Sequence, residues 1–265
     1  MIDKDCIVSA SFAPLYSKPT FKSELISQGL IWEYLIILDK KDNWFKVKQW
    51  DDYISWIHDS YIVDASIYIN NNLQSDDKWY FLIKTTSYNK NNSLISFGSC
   101  IPVIKKNKND IYEVLLPDSK VVKIDKKYLI NLKKTISTKD IINYAYELIG
   151  TPYLWGGKSA FGYDCSGFIQ TLLRLKGVKF PRDCSDQIRS PLLSKIELEN
   201  SNQGDLIFFK ENGRVSHIGI FVNELQFIHS SGEVKINSIL KNKENYSSEL
   251  DLKFHGVYRL KNELK

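Results

Sequence analysis

The residues best suited to chemistry lie in one stretch, residues 151–168, which reads TPYLWGGKSAFGYDCSGF. An apolar run with helical spacing follows Cys165 and ends at Gly177. This pattern predicts that Cys165 stands at a helix N-terminus, where unpaired N–H groups and the helix dipole favour a thiolate. A thiolate is a nucleophile. The alternative is a small buried core cysteine, as most free cysteines are.

Two of the four histidines, His217 and His229, fall in one apolar segment twelve residues apart. Their β-branched and aromatic neighbours predict two strands of a hairpin. If residues 223–225 form the loop, both histidines share a face on a cross-strand diagonal of about 7–8 Å. A two-residue loop would put them on opposite faces. On one face, one histidine is expected to act as base while the other fixes its tautomer, as in papain-like enzymes.

Six short motifs follow one another in this order: Tyr153-x-Trp155-Gly156-Gly157, Asp164-Cys165-Ser166-Gly167-Phe168, Pro181-Arg182-Asp183 with Gln187, Gly204-Asp205-Leu206-Ile207-Phe208-Phe209, His217-Ile218-Gly219-Ile220 and His229-Ser230-Ser231. Residues 139–258 thereby resemble the NlpC-type cysteine peptidases of bacterial cell-wall turnover. The resemblance implies a papain-like α+β fold and a catalytic triad of Cys165, His217 and His229. It also implies that Tyr153 donates to the oxyanion.

The same resemblance implies the reaction. The expected activity is hydrolysis of the amide between γ-linked D-glutamate and a diamino acid, without a metal or other cofactor. The expected substrate is a free murein tripeptide or tetrapeptide with an unblocked N-terminal L-alanine. Hydrolysis of intact peptidoglycan and an inactive cell-wall-binding module are the alternatives.

Five further residues are expected to contact this substrate. Asp164 would meet the alanine amine, Ser166 the peptide backbone, and Asp183 would lie near the cleft. In relatives with an SH3-like domain, a tyrosine from the barrel meets the amine. The matching residue is Tyr53, with Glu24 as a second candidate. The competing interpretations are a surface aromatic for Tyr53, a helix-start acid for Asp164 and a surface ion pair for Arg182 with Asp183.

The N-terminal half reads as short strands separated by turn residues. Predicted strands in residues 1–66 are Asp5–Ala10, Leu30–Leu38, Trp44–Gln49 and Tyr53–His58. Their sequence resembles a bacterial SH3-like domain. The polar stretch NNNLQSDD, residues 70–77, is a predicted linker. Residues 76–132 are predicted to form a second, divergent SH3-like barrel, and the alternative is one all-β domain covering both.

Residues 136–265 are predicted to form the catalytic domain. A cap signal at Ser137, with Asp140 in the first turn, starts a helix. Its expected buried face is Ile141, Ile142, Ala145, Leu148 and Ile149. The expected strands are residues 205–209, 217–222, 226–229 and 256–260. Helices followed by a sheet indicate an α+β domain.

Composition excludes several classes of protein. The 265 residues carry a net charge of +5, but the lysines are scattered, so no nucleic-acid partner is expected. No apolar run is long enough to span a membrane and no signal peptide is visible, which predicts a cytoplasmic enzyme. The four cysteines lack disulfide or zinc spacing, so Cys6, Cys100 and Cys184 are expected to be inert thiols.

Three questions stay open at this point. A zinc ion held by Cys165, His217 and His229 is a minor alternative, since three separated ligands suffice for a catalytic zinc. The diamino acid is either diaminopimelate or lysine. The oligomeric state is not fixed by the sequence.

Overall fold

The computed structural model describes residues 5–88, 93–223 and 226–261. The chain divides into two compact units, of which the first comprises residues 1–135 and 158–160 and the second residues 136–157 and 161–265. Cys165 and both predicted catalytic histidines belong to the second unit.

Seven short strands open the first unit: β1 (Asp5–Val8), β2 (Phe12–Tyr16), β3 (Leu25–Leu30), β4 (Tyr34–Lys41), β5 (Trp44–Lys48), β6 (Ile54–His58) and β7 (Ile62–Asp64). They pair antiparallel in the order β3-β2-β6-β5-β4-β1-β7. The predicted single strand Leu30–Leu38 is wrong. Trp32 has a φ of 68°, in the left-handed region, so the chain turns between β3 and β4.

The rest of the first unit continues the β pattern. Its further elements are α1 (Ile67–Asn70), β8 (Trp79–Leu82), β9 (Thr86–Ser87), β10 (Leu94–Ile95), β11 (Cys100–Lys106), β12 (Ile111–Leu115), β13 (Val121–Asp125), β14 (Leu129–Asn131) and β15 (Lys158–Ser159). Five strands form a sheet in the order β13-β12-β11-β8-β14, and β9 pairs with β10. Residues 117–119 form a hairpin turn between β12 and β13, which Leu116 N–H closes by donating to the Lys120 carbonyl at 2.8 Å.

One hydrophobic core joins the two predicted barrels of the first unit. The rings of Trp32 and Trp79 lie 5.7 Å apart, edge to face. The Trp32 indole N–H donates to the Leu115 carbonyl at 2.8 Å. Ile7 and Val114 are fully buried in the same cluster. Residues before and after the predicted linker therefore stabilise each other, and the division into two barrels at residues 66 and 76 stays a prediction.

The second unit packs helices against a six-stranded sheet. Its elements are α2 (Thr138–Tyr146), β16 (Gly162–Tyr163), α3 (Cys165–Leu175), α4 (Cys184–Gln187), β17 (Leu193–Ile196), β18 (Leu206–Glu211), β19 (Arg214–Asn223), β20 (Gln226–Ser231), β21 (Glu233–Ser238), α5 (Ser248–Lys253) and β22 (Phe254–Leu260). The sheet order is β17-β22-β18-β19-β20-β21. The mixed helix and sheet architecture confirms the α+β prediction, although β17 and β21 were not predicted. Short 3₁₀ turns cover Asp59–Tyr61, Asp76–Lys78, Lys126–Tyr128 and Leu198–Asn200.

Helix α2 begins as its cap signal predicts. Asp140 N–H donates to Ser137 Oγ at 3.1 Å, and the Asp140 carboxylate accepts from Ser137 N–H at 3.3 Å. This reciprocal pair is a capping box. The prediction for Ile149 is wrong, because α2 ends at Tyr146 and Ile149 is 47% exposed beyond it. Among the described residues, no helix is both long and apolar enough to cross a membrane.

Candidate active site

Cys165 is the first residue of α3, as predicted. The Asp164 side chain caps the helix by accepting from Gly167 N–H at 2.6 Å. Phe168, Ile169 and Leu172 anchor the helix, since all three are fully buried. Cys165 is itself only 7% exposed. Its sulfur thus stands at the positive end of a helix dipole, which favours a thiolate.

The two histidines contact each other on the sheet. Strands β19 and β20 pair antiparallel with Ile220 opposite Ile228, which puts His217 and His229 on one face along a diagonal. His217 Nε2 and His229 Nδ1 are 2.7 Å apart. Gly219 is needed for close packing here, because a Cβ there would come within 2.9 Å of Phe227 Cδ2 and 3.3 Å of His229 Cβ. The predicted diagonal is confirmed.

The hairpin reaches this register by a different route from the predicted one. Asn223 pairs with Gln226, and the register shifts between Phe221 and Asn223. A bulge therefore adds the extra residue that a three-residue loop was expected to supply. Residues 224 and 225 of the predicted loop lie outside the described residues.

A third side chain fixes the tautomers of the histidine pair. Asn237 Nδ2 donates to the Asn245 carbonyl at 3.0 Å, so its Oδ1 faces His229 Nε2, 2.9 Å away. Because an amide oxygen only accepts, His229 carries its proton on Nε2 and its Nδ1 accepts from His217 Nε2. The other nitrogen of His217, Nδ1, is then the one free to take a proton from Cys165.

Asn237 is a residue that the sequence analysis missed. It lies on β21, which pairs with β20 so that Ile236 is opposite Ile228. The diagonal reasoning used for the histidines would reach Asn237 one strand further along. That strand was not predicted, so the signal was not used.

The surroundings of Cys165 favour its charged form. The pKa of Cys165 is lowered most by a hydrogen bond from Cys184, and also by the hydrogen bond and charge of His217, while burial opposes the shift. The pKa of His229 is lowered to about 3, chiefly by burial and then by the charge of His217. His229 is therefore neutral, as an orienting group should be.

Residues 150–253 match the NlpC/P60 family, and residues 15–62 match the bacterial dipeptidyl-peptidase Sh3 domain. The chain carries an NlpC/P60 cysteine-peptidase domain. The family is one of cell-wall peptidases, and the matched residues include Cys165, His217 and His229, whose role as a catalytic triad stays a prediction. The second predicted SH3-like barrel stays a prediction.

Curated relatives share this domain. A gamma-D-glutamyl-L-lysine dipeptidyl-peptidase from Bacillus cereus is 27% identical over 254 residues, which cover 87% of this chain and 74% of the relative. The Bacillus subtilis protein of the same name is 36% identical over 118 residues, 43% of this chain and 39% of its own. A crystal structure of an NlpC/P60 family protein from Bacillus cereus matches with a TM-score of 0.80 and 22% identity, covering 97% of this chain and 99% of that chain. This last likeness shows a common fold.

Asp164 is part of a buried network inside the NlpC/P60 domain. Its carboxylate accepts from Gly156 N–H at 2.9 Å and from the Arg182 guanidinium at 3.0 Å. Ser166 Oγ joins the network by donating to Asp164 at 3.2 Å and accepting from Arg182 at 2.9 Å. Arg182 is 2% exposed, so the surface ion pair with Asp183 is wrong. The contacts make Asp164 a helix-start acid, and its predicted role toward the substrate amine stays a prediction, as does that of Ser166.

Tyr153 meets the requirement for a hydroxyl donor. Burial is the main cause that raises its pKa, followed by the negative charge of Cys165, so the phenol keeps its proton. Its backbone N–H donates to the Gly232 carbonyl at 2.8 Å, which ties it to the strand edge. Its role as oxyanion donor stays a prediction.

Three other predicted substrate residues fall elsewhere. Asp183 precedes α4 at its N-cap position. Tyr53 is partly buried and Glu24 is exposed, and both belong to the first unit. Their roles stay predictions.

Cys184 is a second residue whose importance the sequence analysis missed. Its Sγ lies 3.5 Å from Cys165 Sγ, so it is part of the site and not a remote inert thiol. The hydrogen bond to Cys165, followed by burial, raises the pKa of Cys184 well above that of an ordinary thiol. Cys184 therefore acts as the S–H donor of the pair.

A cavity of about 610 Å³ opens beside the histidine pair. His217 and His229 line it together with Trp155, which is 60% exposed. Its other walls carry charge of both signs, from Glu211, Lys235, Glu249 and Lys253. Lys253 bridges the two glutamates, at 2.7 Å from Glu211 and 2.6 Å from Glu249.

The zinc alternative does not fit the geometry. His217 Nε2 and His229 Nδ1 face each other at 2.7 Å, whereas zinc needs each ligand nitrogen at about 2.0–2.1 Å with the ion between them. Among the described residues, no three His, Cys, Asp or Glu side chains are grouped to hold a metal.

Proposed function

We propose that this enzyme hydrolyses the amide between γ-D-glutamate and a diamino acid in free peptidoglycan stem peptides. The observation that carries the chemistry is the hydrogen-bonded pair of His217 and His229, set beside a cysteine at a helix N-terminus. The names of the Bacillus cereus and Bacillus subtilis relatives support the choice of bond. A cysteine, a histidine base and a group that orients the base are what amide hydrolysis by a cysteine nucleophile requires.

The roles follow from the hydrogen-bond directions. The Cys165 thiolate attacks the γ-carbonyl carbon, and the developing oxyanion accepts from Cys165 N–H and the Tyr153 hydroxyl. His217 Nδ1 gives its proton to the leaving nitrogen, which leaves a thioester on Cys165. His217 then takes a proton from water, and the hydroxide frees the L-Ala-D-Glu product. His229 and Asn237 hold the His217 ring throughout.

The cavity beside His217 suits the leaving group. The leaving nitrogen must lie within hydrogen-bond reach of His217, so the diamino acid that carries it lies on the histidine side of Cys165. The glutamates of the cavity can receive a side-chain ammonium, and its lysines can receive a carboxylate. The lysine side chain carries only an ammonium, whereas the diaminopimelate side chain carries an ammonium and a carboxylate.

Mass spectrometry of the products tests this proposal. The enzyme is incubated with L-Ala-γ-D-Glu-L-Lys, with the diaminopimelate tripeptide, and with intact sacculi. We expect L-Ala-D-Glu and the free diamino acid from at least one tripeptide. Release of fragments from sacculi alone would favour the wall hydrolase, and cleavage at another bond would overturn the proposal.

His229→Ala is expected to lower kcat by about 10²–10³-fold with little change in KM, because it disturbs the tautomer of His217 and not substrate binding. His229→Asn should recover part of this loss, since an amide oxygen still accepts from His217. Steady-state kinetics on the tripeptide measure both variants. Wild-type kinetics for His229→Ala would contradict the tautomer argument.

Cys184→Ala is expected to move the acid limb of the kcat/KM profile to higher pH. The pKa of Cys165 is lowered to about 5, with the Cys184 hydrogen bond as the largest cause, so the wild-type thiolate is present above that pH. Without the S–H donor the thiolate forms only at higher pH. The profile is measured with tripeptide between pH 4 and 9. Cys184→Ser, which keeps a donor, is the matched control, and an unmoved limb in Cys184→Ala would contradict the assignment.

A further inference from the structure

We propose that Cys165 and Cys184 form an oxidisable dithiol, which a peroxide converts into a disulfide that switches hydrolysis off reversibly. The two sulfurs lie 3.5 Å apart, and both cysteines are free. They come from different elements, since Cys165 opens α3 and Cys184 opens α4. The proposal concerns this thiol pair and holds whichever peptide the enzyme cuts.

The first step uses the same sulfur as peptide hydrolysis. Thiolate character makes a cysteine susceptible to peroxides. The Cys165 sulfur attacks one peroxide oxygen, the O–O bond breaks, and hydroxide leaves. The sulfur is oxidised by two electrons to a sulfenic acid. Although Cys165 is only 7% exposed, a peroxide is smaller than the peptide that must reach the same atom.

Cys184 is placed to resolve this intermediate. Its sulfur attacks the sulfenic sulfur, an S–S bond forms, and the S–O bond breaks. The departing oxygen and the Cys184 proton leave as water, so two thiols and one hydrogen peroxide give one disulfide and two waters. The sulfurs must close from 3.5 Å to about 2.05 Å for the bond to form.

The disulfide removes the nucleophile and is reversed by thiol exchange. A thiol reductant attacks the bond through a mixed disulfide and restores both thiols. Cys184 thereby protects Cys165, because a sulfenic acid without a neighbouring thiol proceeds to irreversible sulfinic and sulfonic acids. Cys6 is fully buried and its pKa is raised to about 12, chiefly by burial, so it serves as an internal unreactive thiol.

Peroxide treatment of wild type and Cys184→Ser tests the pair. Each protein is exposed to hydrogen peroxide, and tripeptide hydrolysis before and after dithiothreitol is compared with its own untreated sample. We expect wild type to lose hydrolysis together with about 2 Da, and to regain both with dithiothreitol. Cys184→Ser should lose hydrolysis irreversibly while Cys165 gains about 32 or 48 Da.

Peptide mapping after thiol blocking identifies the bond. The expected product links the peptides that contain Cys165 and Cys184, and Cys100→Ser should behave as wild type. A cross-link to a different cysteine, or wild-type Cys165 oxidised without any cross-link, would overturn the proposal. The proposal would also be overturned if dithiothreitol restored hydrolysis in Cys184→Ser as fully as in wild type. The mass changes and the cross-link are measured without substrate. They would therefore be the same if the proposed cleaved bond were wrong.

Discussion

Cys165→Ala is expected to abolish hydrolysis, with a fall in kcat of at least about 10⁴-fold. The alanine removes the only atom that bonds to the substrate carbonyl, and the residual rate then rests on binding and oxyanion contacts. The fold should persist, because Asp164 still caps α3 and the apolar face of the helix is unchanged. Product formation from the tripeptide and thermal unfolding of the variant measure the two effects separately.

Alkylation provides an independent test of the same sulfur. Iodoacetamide should modify Cys165 before Cys6, Cys100 or Cys184, since the neighbours of Cys165 favour its thiolate. Burial raises the pKa of Cys6, and the hydrogen bond to Cys165 together with burial raises the pKa of Cys184. Cys100→Ala, a change outside the second unit, is the matched control and should retain hydrolysis. Full activity of Cys165→Ala would refute the cysteine mechanism. Loss of activity with a chelator that zinc restores would do the same.

The placement of Cys165, His217 and His229 could be predicted because its signals are local. The helix that Cys165 begins follows from the apolar spacing after it, and the histidine diagonal follows from strand periodicity. The diagonal was nevertheless predicted for an incomplete reason, since a bulge between Phe221 and Asn223 sets the register. Side chains alternate between the two faces of a strand, so the spacing of two residues predicts a shared face only when any bulge between them is known.

The other parts of the site depend on contacts that spacing does not encode. Arg182 lies 18 residues after Asp164, and their pairing depends on the chain returning to the start of α3. Cys184 contacts Cys165 because the same segment of the chain comes back to the start of α3. A surface ion pair and an inert thiol were reasonable expectations for a polar segment without a visible partner. The burial of Arg182 and Cys184 near the start of α3 is a tertiary property.

The N-terminal half shows the same limit at the level of domains. Short strands and turns were predicted from alternation, but alternation does not tell which strands share a core. Trp32 packs on Trp79 across the predicted linker, so the hydrophobic contacts do not follow the polar break at residues 70–77. A polar composition therefore does not by itself identify a domain boundary.

Acetylation of the substrate N-terminus is expected to lower kcat/KM by about 100-fold, or about 2.7 kcal/mol. A free recycled peptide carries an ammonium on L-alanine, whereas a stem joined to muramic acid carries an amide there. Acetylation deletes this charge and adds bulk, so it removes a charge-assisted hydrogen bond and mimics the attached stem. The two tripeptides are compared under identical conditions, with product quantified by mass spectrometry. Equal turnover of both would show that the enzyme does not select free peptides.

The ratio between the two substrates also separates the roles assigned to Asp164. Its carboxylate already accepts from Arg182, Gly156 N–H and Gly167 N–H, so Asp164→Asn weakens the helix cap as well as any amine contact. A purely structural role lowers turnover of both substrates equally and leaves the ratio near 100. Amine recognition instead lowers turnover of the free peptide more, so the ratio falls toward one. Tyr53→Phe, the variant of the other predicted amine ligand, should lower the ratio without touching the Asp164 network. An unchanged ratio in both variants would remove both residues from amine recognition and leave Glu24 as the next candidate.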